Sequence, residues 1–495
     1  MRKKYIVLFY LITLISSISF SQNQIGNDID GKIPGASFGL PVSLNADGTI
    51  IAVGAHSISG DSTYKGKVTI YQYQSGEWLQ LGNDINGQSS DAGFGSSISL
   101  NSNGDILAIS CYSINNNGTF IGQVKIYQYK NNDWIQLGTD ISVEDGNVNS
   151  FAPSVSINSD GNIIAIGDSD ANVNGLVTGV LRVYKYQDTD WIQLGEDING
   201  ETNGDSFGYS VSLSSSGYII AIGAVNNSDN GYSSGHVRVY KYENDSWIQL
   251  GNDIDGESQG DQSGNSISLN SNGSVVAIGA ESNNDYSGHV RVFQFQSNNW
   301  VQLGNDIDGE SLGDQLGSSV KLNSNGNILV VGAKSSDGNG ENSGHVRAYK
   351  YENGNWLKIG NNINGEAAYD SSGRSISISS DGSIIAIGAG GNDDNGTNSG
   401  HVRIFDFSEV LSVNNYLSFN TSLYPNPAKD KVYIDLQFYQ KTDLDNLHLY
   451  DILGKHIFSI KKTSSVDVSN LKAGIYFLSI ETSFGKINKR LIVID

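Results

Sequence analysis

A tryptophan phrase that returns at a fixed interval constrains this chain more than any other feature. Trp78, Trp134, Trp191, Trp247, Trp300 and Trp356 each open a form of Trp-x-Gln-Leu-Gly-x-Asp-Ile, with Lys358 and Ile359 replacing Gln-Leu in the last. The glycine of that phrase stands at Gly26, Gly82, Gly138, Gly195, Gly251, Gly304 and Gly360, at spacings of 56, 56, 57, 56, 53 and 56 residues. Seven copies of one unit follow, and self-similarity at such a period marks a repeat architecture.

Each unit reads as four strands. In the fourth, Ser210 to Leu213 alternates, a turn falls at Ser216-Gly217, and Tyr218 to Ala224 is a short apolar run. After a polar loop, His236 to Tyr242 alternates again, and Trp247 to Ile254 completes the set. The first turn reads Asp47-Gly48, Asn103-Gly104, Asp160-Gly161, Asn272-Gly273, Asn325-Gly326 and Asp381-Gly382 elsewhere. Asx-Gly pairs supply the positive φ angles of a tight hairpin. A four-stranded sheet repeated seven times must bury both faces against neighbours, which predicts an all-β, seven-bladed β-propeller over residues 22–407. Unit seven ends at Phe407 without a tryptophan strand, while Gln22 to Ile29 is an orphan copy of that strand with Gln22 in the Trp place. The expectation is that 22–29 forms the outer strand of the last blade, so that a chain starting at Gly35 is destabilised.

The order Phe207-Gly208-x-Ser-Val-Ser-Leu, Ile219 to Ala224, Gly235-His-Val-Arg-Val-Tyr resembles FG-GAP repeats, the units of integrin α-type propellers. The resemblance implies closure by an N-terminal outer strand. It also implies a calcium loop, Asp-x-Asp-x-Asp-Gly, in the first hairpin of some blades. Here those turns read Asn45-Ala-Asp-Gly48, Asn101-Ser-Asn-Gly104 and Asn323-Ser-Asn-Gly326. Calcium takes six to eight oxygens, several of them carboxylate, so these turns are not assigned to it and no cofactor is expected from them.

Paired acids recur before the first strand: Glu201 and Asp205, Glu257 and Asp261, Glu310 and Asp314, Glu366 and Asp370. As a metal site they would form a ring of cation positions, calcium included. As turn residues, the aspartate caps the tight turn and the glutamate is solvated, the reading favoured here. His236, His289, His345 and His401 sit in Gly-His-Val-Arg on separate units, so no two share a metal, and packing is expected of them. Arg182, Arg238, Arg291, Arg347 and Arg403 are expected to pair with acids of a neighbouring blade. The tryptophans are expected to pack on the adjacent blade rather than to stack on sugars. Asn226 to Ser234, Ser335 to Ser343 and Gly390 to Ser399 are polar loops of unequal length, where specificity usually resides; Asp393 with Asp394, or Asp337 with Glu341, offers a weak calcium site there, and solvated turn residues are the reading favoured. Catalysis needs an asymmetric constellation, and units this alike do not offer one; no enzyme is expected. Unit three departs furthest (Val143 to Gly146, Phe151 to Pro153, Asp168), without an accompanying histidine.

The chain begins with Arg2, Lys3 and Lys4 and an apolar stretch from Tyr5 to Ile18, which reads as a signal peptide over 1–21 with small residues at Ser19 and Ser21. No later segment is long and apolar enough to span a membrane. The net charge is −22, and loss of the basic leader makes the remainder more acidic. Such a field repels phosphate backbones, so nucleic acid is excluded as a partner. The single cysteine, Cys111, rules out an intramolecular disulfide and reads as a buried thiol.

After a linker at 408–421 the period stops, and residues 422–495 read as a small Ig-like β-sandwich of short strands and Gly or Asx turns. Tyr424-Pro425-Asn426-Pro427, Tyr450-Asp451-x-x-Gly454 and Leu471-x-x-Gly474-Ile-Tyr476 resemble the type A C-terminal sorting domain of the type IX secretion system. That resemblance implies export, the type IX machinery as partner, and a final place on the outer cell surface or in the medium. The function expected is a binding or adhesion propeller for a glycan or protein ligand. The alternatives are a polysaccharide lyase or hydrolase on the same scaffold, or a structural surface-layer component.

Overall fold

The computed structural model describes residues 22–56, 65–88, 91–114, 120–143, 153–412, 421–436, 444–452, 454–461, 463–482 and 485–494. The leader at 1–21 and most of the departures of unit three, at 144–152, lie outside the described residues.

Among the described residues, seven antiparallel sheets follow one another between Asn23 and Asp406, and each repeats one meander. Blade 4 is representative, with strands Phe207–Leu213, Ile219–Ala224, His236–Glu243 and Ser246–Gln249 from the inside outwards. The outer strand then breaks at the glycine of the repeat phrase and resumes as Ile254–Asp255, again on the third strand. The second strand is buried from Ile220 onwards because it lies between two others and both its faces meet neighbouring blades. This explains an unbroken apolar run where the first and third strands alternate.

The cores lie between blades. Ala52, Val68, Leu107 and Ile109 share one cluster between blades 1 and 2, and comparable clusters join each later pair. Ile29, Val42, Val53 and Ile404 form the cluster that joins blade 7 to blade 1, so the ring is closed. Closure is made by the N-terminus: Asn23 pairs with Asp406 and Ile29 with Val402 on the third strand of blade 7. Gln22 takes the tryptophan place, its amide donating to Asn361 O at 2.9 Å and its side-chain oxygen accepting from Asn361 N at 3.2 Å.

Trp191 illustrates the outer seam. Its indole Nε1 donates to Leu137 O of blade 2 at 2.9 Å, and its ring lies over Gly138, whose φ is +77°. A Cβ on Gly138 would sit 2.8 Å from Trp191 Cδ1, which accounts for the glycine of the repeat phrase wherever a tryptophan packs on it. The tryptophans thus seal blade to blade. Near the axis the innermost strands are joined by serine: Ser156 Oγ accepts from Leu213 N, Ser212 Oγ from Leu269 N and Ser268 Oγ from Leu322 N, at 2.9 to 3.0 Å.

Ser408–Ser412 is a short helix whose Val410 and Leu411 pack against the core of blades 6 and 7. Beyond it, Thr421–Tyr424, Lys431–Leu436 and Ser465–Asp467 form one sheet, and Leu444–Asp451, His456–Lys461, Gly474–Thr482 and Gly485–Val493 another. Val432, Leu447, Leu449, Val466, Leu478 and Leu491 make their common core. Among the described residues no helix is long and apolar enough to cross a membrane.

Candidate functional site

The two ends of the propeller differ in chemistry. At the end bearing the first hairpins, Asn45 Oδ1 accepts from Thr49 N and Ile50 N at 2.9 Å each, and Asn101, Asn158, Asn270 and Asn323 repeat this. Residues that the resemblance would have made calcium loops are therefore turns stapled by their own amide oxygen. One residue on, the backbones join across the axis. Ala46 N donates to Ser102 O, and the sequence continues through Ser159, Ser215, Ser271, Ser324 and Ser380 back to Ala46 O, at 2.7 to 3.1 Å. This ring surrounds about 160 Å³ of water-accessible space lined by asparagine, serine and leucine, with no charged side chain.

The opposite end carries the loops between second and third strands and the crossings between blades, and here sevenfold likeness fails. The residue after the second strand is His56, Ser169, Val225, Glu281, Lys334 or Gly390 according to blade. Lys334 Nζ pairs with Glu281 across blades 5 and 6 at 2.6 Å. The Tyr209 phenol is pushed above its ordinary value by desolvation and then by the Glu281 carboxylate, against the Arg374 cation. His56 donates from Nδ1 to Leu40 O at 2.8 Å; burial, aided by Arg374, lowers its pKa against that bond. Lys321 breaks the serine series: it stands where Ser43, Ser99, Ser156, Ser212, Ser268 and Ser377 stand in the other units. Its side chain, on the innermost strand of blade 6, is open to water but closely surrounded by protein, and this desolvation pushes its amine below the usual lysine value. Sequence inspection missed these residues because attention fell on what recurs; the signal was the position at which each unit differs.

The acid pairs divide. Asp205, Asp261, Asp314 and Asp370 are buried and accept backbone N–H bonds from Thr202, Ser258, Ser311 and Ala367 at 2.8 to 3.0 Å, the capping role of a tight turn. The glutamates are not simply solvated, contrary to expectation. Arg238 meets Glu201 at 3.2 Å, Arg291 meets Glu257 at 3.3 Å, Arg347 meets Glu310 at 2.6 Å and Arg403 meets Glu366 at 3.3 Å. Each glutamate lies on the crossing into the arginine's own blade. Arg182 departs from expectation, pairing within blade 3 to Asp197 at 2.9 Å. A guanidinium this buried needs the partner, since an unpaired buried charge is costly.

The four histidines are buried, and no two share a site. His345 is held at Nδ1 by Ser336 Oγ at 2.6 Å, and burial, reinforced by Arg347 and Lys358, pushes its pKa down to about 3. An unfolded histidine takes up a proton near pH 6.5. Stability is therefore complete above that value and is lost as pH falls from 6.5 towards 3, by roughly 1.4 kcal/mol per pH unit for this group. Urea midpoints measured from about pH 7 to about pH 4 should fall less steeply in His345→Gln; parallel slopes would refute the assignment.

In the C-terminal module, Asn426 donates to Arg490 O at 2.8 Å and accepts from Ile492 N at 2.9 Å, tying the Tyr424 to Pro427 segment to the last strand. Asp451 Oδ1 accepts from Lys455 N at 2.9 Å, and Gly454 takes φ +82°. Tyr476 donates to Lys472 O at 2.9 Å, and Tyr424 stacks on Tyr433 with ring centroids 5.7 Å apart. Pro425, Pro427 and Gly474 complete these turns and strand starts. Most of the motif is thus concerned with holding the module together.

Parts of the chain match known families. Residues 199–240 and 364–405 match the FG-GAP repeat, and residues 422–494 match the Secretion system C-terminal sorting domain. The chain thus carries two segments similar to the FG-GAP repeat and a C-terminal segment similar to that sorting domain. This sorting domain implies export to the cell surface or beyond and an interaction with the type IX machinery. The matched repeats run from the crossing strand through the third strand of blades 4 and 7, two of the blades with buried histidine. Among solved structures the chain resembles the β-propeller domain of the Trilobed protease from Pyrococcus furiosus, described as having an open velcro topology. The TM-score is 0.41 at 8% identity, over 70% of this chain and 90% of that one. No curated protein matches.

Proposed function

We propose that this protein is an exported binding or adhesion module that engages a glycan or surface polymer at the loop end of its channel. The observation that carries this reading is the loss of sevenfold likeness at that end and along the innermost strands. Tyr209, Arg374 and the Glu281–Lys334 pair offer an aromatic ring and charges of both signs, and Lys321 adds a cation on the channel wall. The frame that holds them is a closed ring, so the site is organised before the ligand arrives. An overall acidic chain that presents cations at this place favours a ligand bearing carboxylate groups.

The test is binding of the full chain to an array of neutral and acidic glycans, with Lys321→Ser as the discriminating variant. Serine is what the other six units carry there, so the fold is preserved. Loss of a charge-assisted contact should weaken an acidic ligand by roughly tenfold to a hundredfold. A blank array, or a bound glycan indifferent to both Lys321→Ser and Arg374→Ala, would refute this reading.

A further inference from the structure

Seven equivalent pockets lie between the start of the third strand and the aspartate of the repeat phrase, and their contents differ. In blades 1, 2 and 3 a basic side chain meets that aspartate: Lys67 to Asp84 at 2.8 Å, Lys125 to Asp140 at 3.5 Å, Arg182 to Asp197 at 2.9 Å. Blade 6 has Asn362 in place of the acid and Lys358 donating to it. Blades 4, 5 and 7 keep the acid, as Asp253, Asp306 and Asp28, and set against it His236, His289 and His401, exposed by 0, 2 and 0%. In four pockets an ammonium or guanidinium therefore meets the phrase residue; in the other three an imidazole faces the phrase aspartate, and the arginine of the same strand (Arg238, Arg291 or Arg403) pairs with the flanking glutamate instead.

Each carboxylate there is half engaged. Gln249 donates to Asp253 Oδ1 at 2.5 Å, leaving Oδ2 3.7 Å from His236 Nδ1. Arg238 takes Glu201 Oε1 at 3.2 Å, and Asp229 comes within the same 4.8 Å cluster. Blade 7 repeats the plan: Gln24 engages Asp28 Oδ1 and Arg403 takes Glu366 Oε1 at 3.3 Å. The remaining oxygens, Asp28 Oδ2 and Glu366 Oε2, lie 3.9 and 3.7 Å from His401 Nδ1. Neither ring nitrogen of His236 or His401 has a hydrogen-bond partner among the described residues. In blade 5, Glu257, His289 and Asp306 gather within 4.8 Å of one another.

A buried polar group left without a partner costs about 1–3 kcal/mol, which a ligand bound there would offset. Bonds of zinc length place tetrahedral donors roughly 3.3 Å apart, so the 3.7 and 3.9 Å pairs need to close by about half an ångström and the widest pairs, up to 4.8 Å, by about 1.5 Å. Burial, with the neighbouring arginine, pushes His236 and His289 below the usual histidine value and keeps the imidazole in its metal-binding neutral form. The glutamates, 42, 44 and 41% exposed in blades 4, 5 and 7, leave an entry from solvent. Imidazole among carboxylates selects a first-row transition ion over calcium.

We propose that blades 4, 5 and 7 each bind a zinc-type divalent ion through His236, His289 and His401 and their flanking carboxylates, and that the ion in blade 7 fastens the N-terminal closing strand through Asp28. The test is zinc uptake by the full chain after stripping with chelator, read by metal analysis at micromolar free zinc. One ion per acidic histidine pocket, three per chain, is expected. Asp28→Asn should lower this by one, and adding Asp253→Asn and Asp306→Asn should abolish it; asparagine already fills that position at Asn362, so the fold tolerates it. Zinc should also slow amide exchange over residues 22–30 in the parent and not in Asp28→Asn. No uptake, uptake that the triple variant leaves unchanged, or exchange at 22–30 indifferent to zinc would each overturn the proposal.

Discussion

A chain that begins at Gly35 is expected to lose on the order of 6 kcal/mol of stability and the cooperativity of its unfolding. Ile29 is buried and Ile25 packs on the same cluster, each worth about 2 kcal/mol of apolar burial. Ile25 N to Ile404 O, Gly31 N to Gly400 O and the strand pairs with Val402 to Asp406 disappear with them, at about 1 kcal/mol for each bond. The third strand of blade 7 becomes an open edge, and Trp78 loses its acceptor, Ile25 O, at 2.9 Å. Urea unfolding followed by tryptophan emission reads both effects. An unchanged midpoint and slope would mean that the ring closes without its N-terminus.

Gly223→Ala should cost about 3 kcal/mol or more, as should the same change at its counterparts Gly279, Gly332 and Gly388, where a Cβ would come within 2.0 to 2.1 Å of backbone oxygen. Gly223 lies on the second strand of blade 4, and a Cβ there would come 2.2 Å from Gly264 O and 2.6 Å from Ser210 Oγ. Gly264 in turn holds φ +93° with no room for a side chain against Gly223 Cα, 3.1 Å away. The obstruction is backbone of the next blade, so relief requires the blades to part, which overpacked interiors resist. Gly175→Ala is the control: its φ is +92° but nothing lies within 4 Å, so only the left-handed strain of about 1–2 kcal/mol applies. Equal losses for the two variants in urea would refute the argument. The glycines at either end of the repeat motif are thus a contact between neighbouring backbones, which gives the motif its physical meaning.

Most of the architecture could be read before the fold was known, because period and alternation are local properties. The unmatched copy of the outer strand at Gln22 to Ile29 pointed to the place of closure for the same reason. The histidine pockets were not legible. His236 meets Asp253 only after the outer strand folds back, and Glu201 lies 35 residues before His236 on the crossing into the blade. Reading His236, Glu201 and Asp253 one at a time gave a packing residue, a solvated acid and part of a repeat phrase. Lys321 and Tyr209 escaped for the opposite reason: a pattern that recurs seven times draws the eye from the one copy that differs.

The N-terminal strand also sets a clock. Residues 22–30 are synthesised before the rest of the propeller, yet their partners at 401–406 follow more than 370 residues later. Closing so long a loop is slow, and the last inter-blade cluster cannot form until blade 7 exists. For most of its synthesis the chain is an open arc with an apolar seam at each end. The sorting module begins at Thr421, shortly after those partners, so the chain acquires its export signal at nearly the moment its ring can shut. A translocon that selects cargo by the finished C-terminal module would thereby receive chains that already contain everything needed to close.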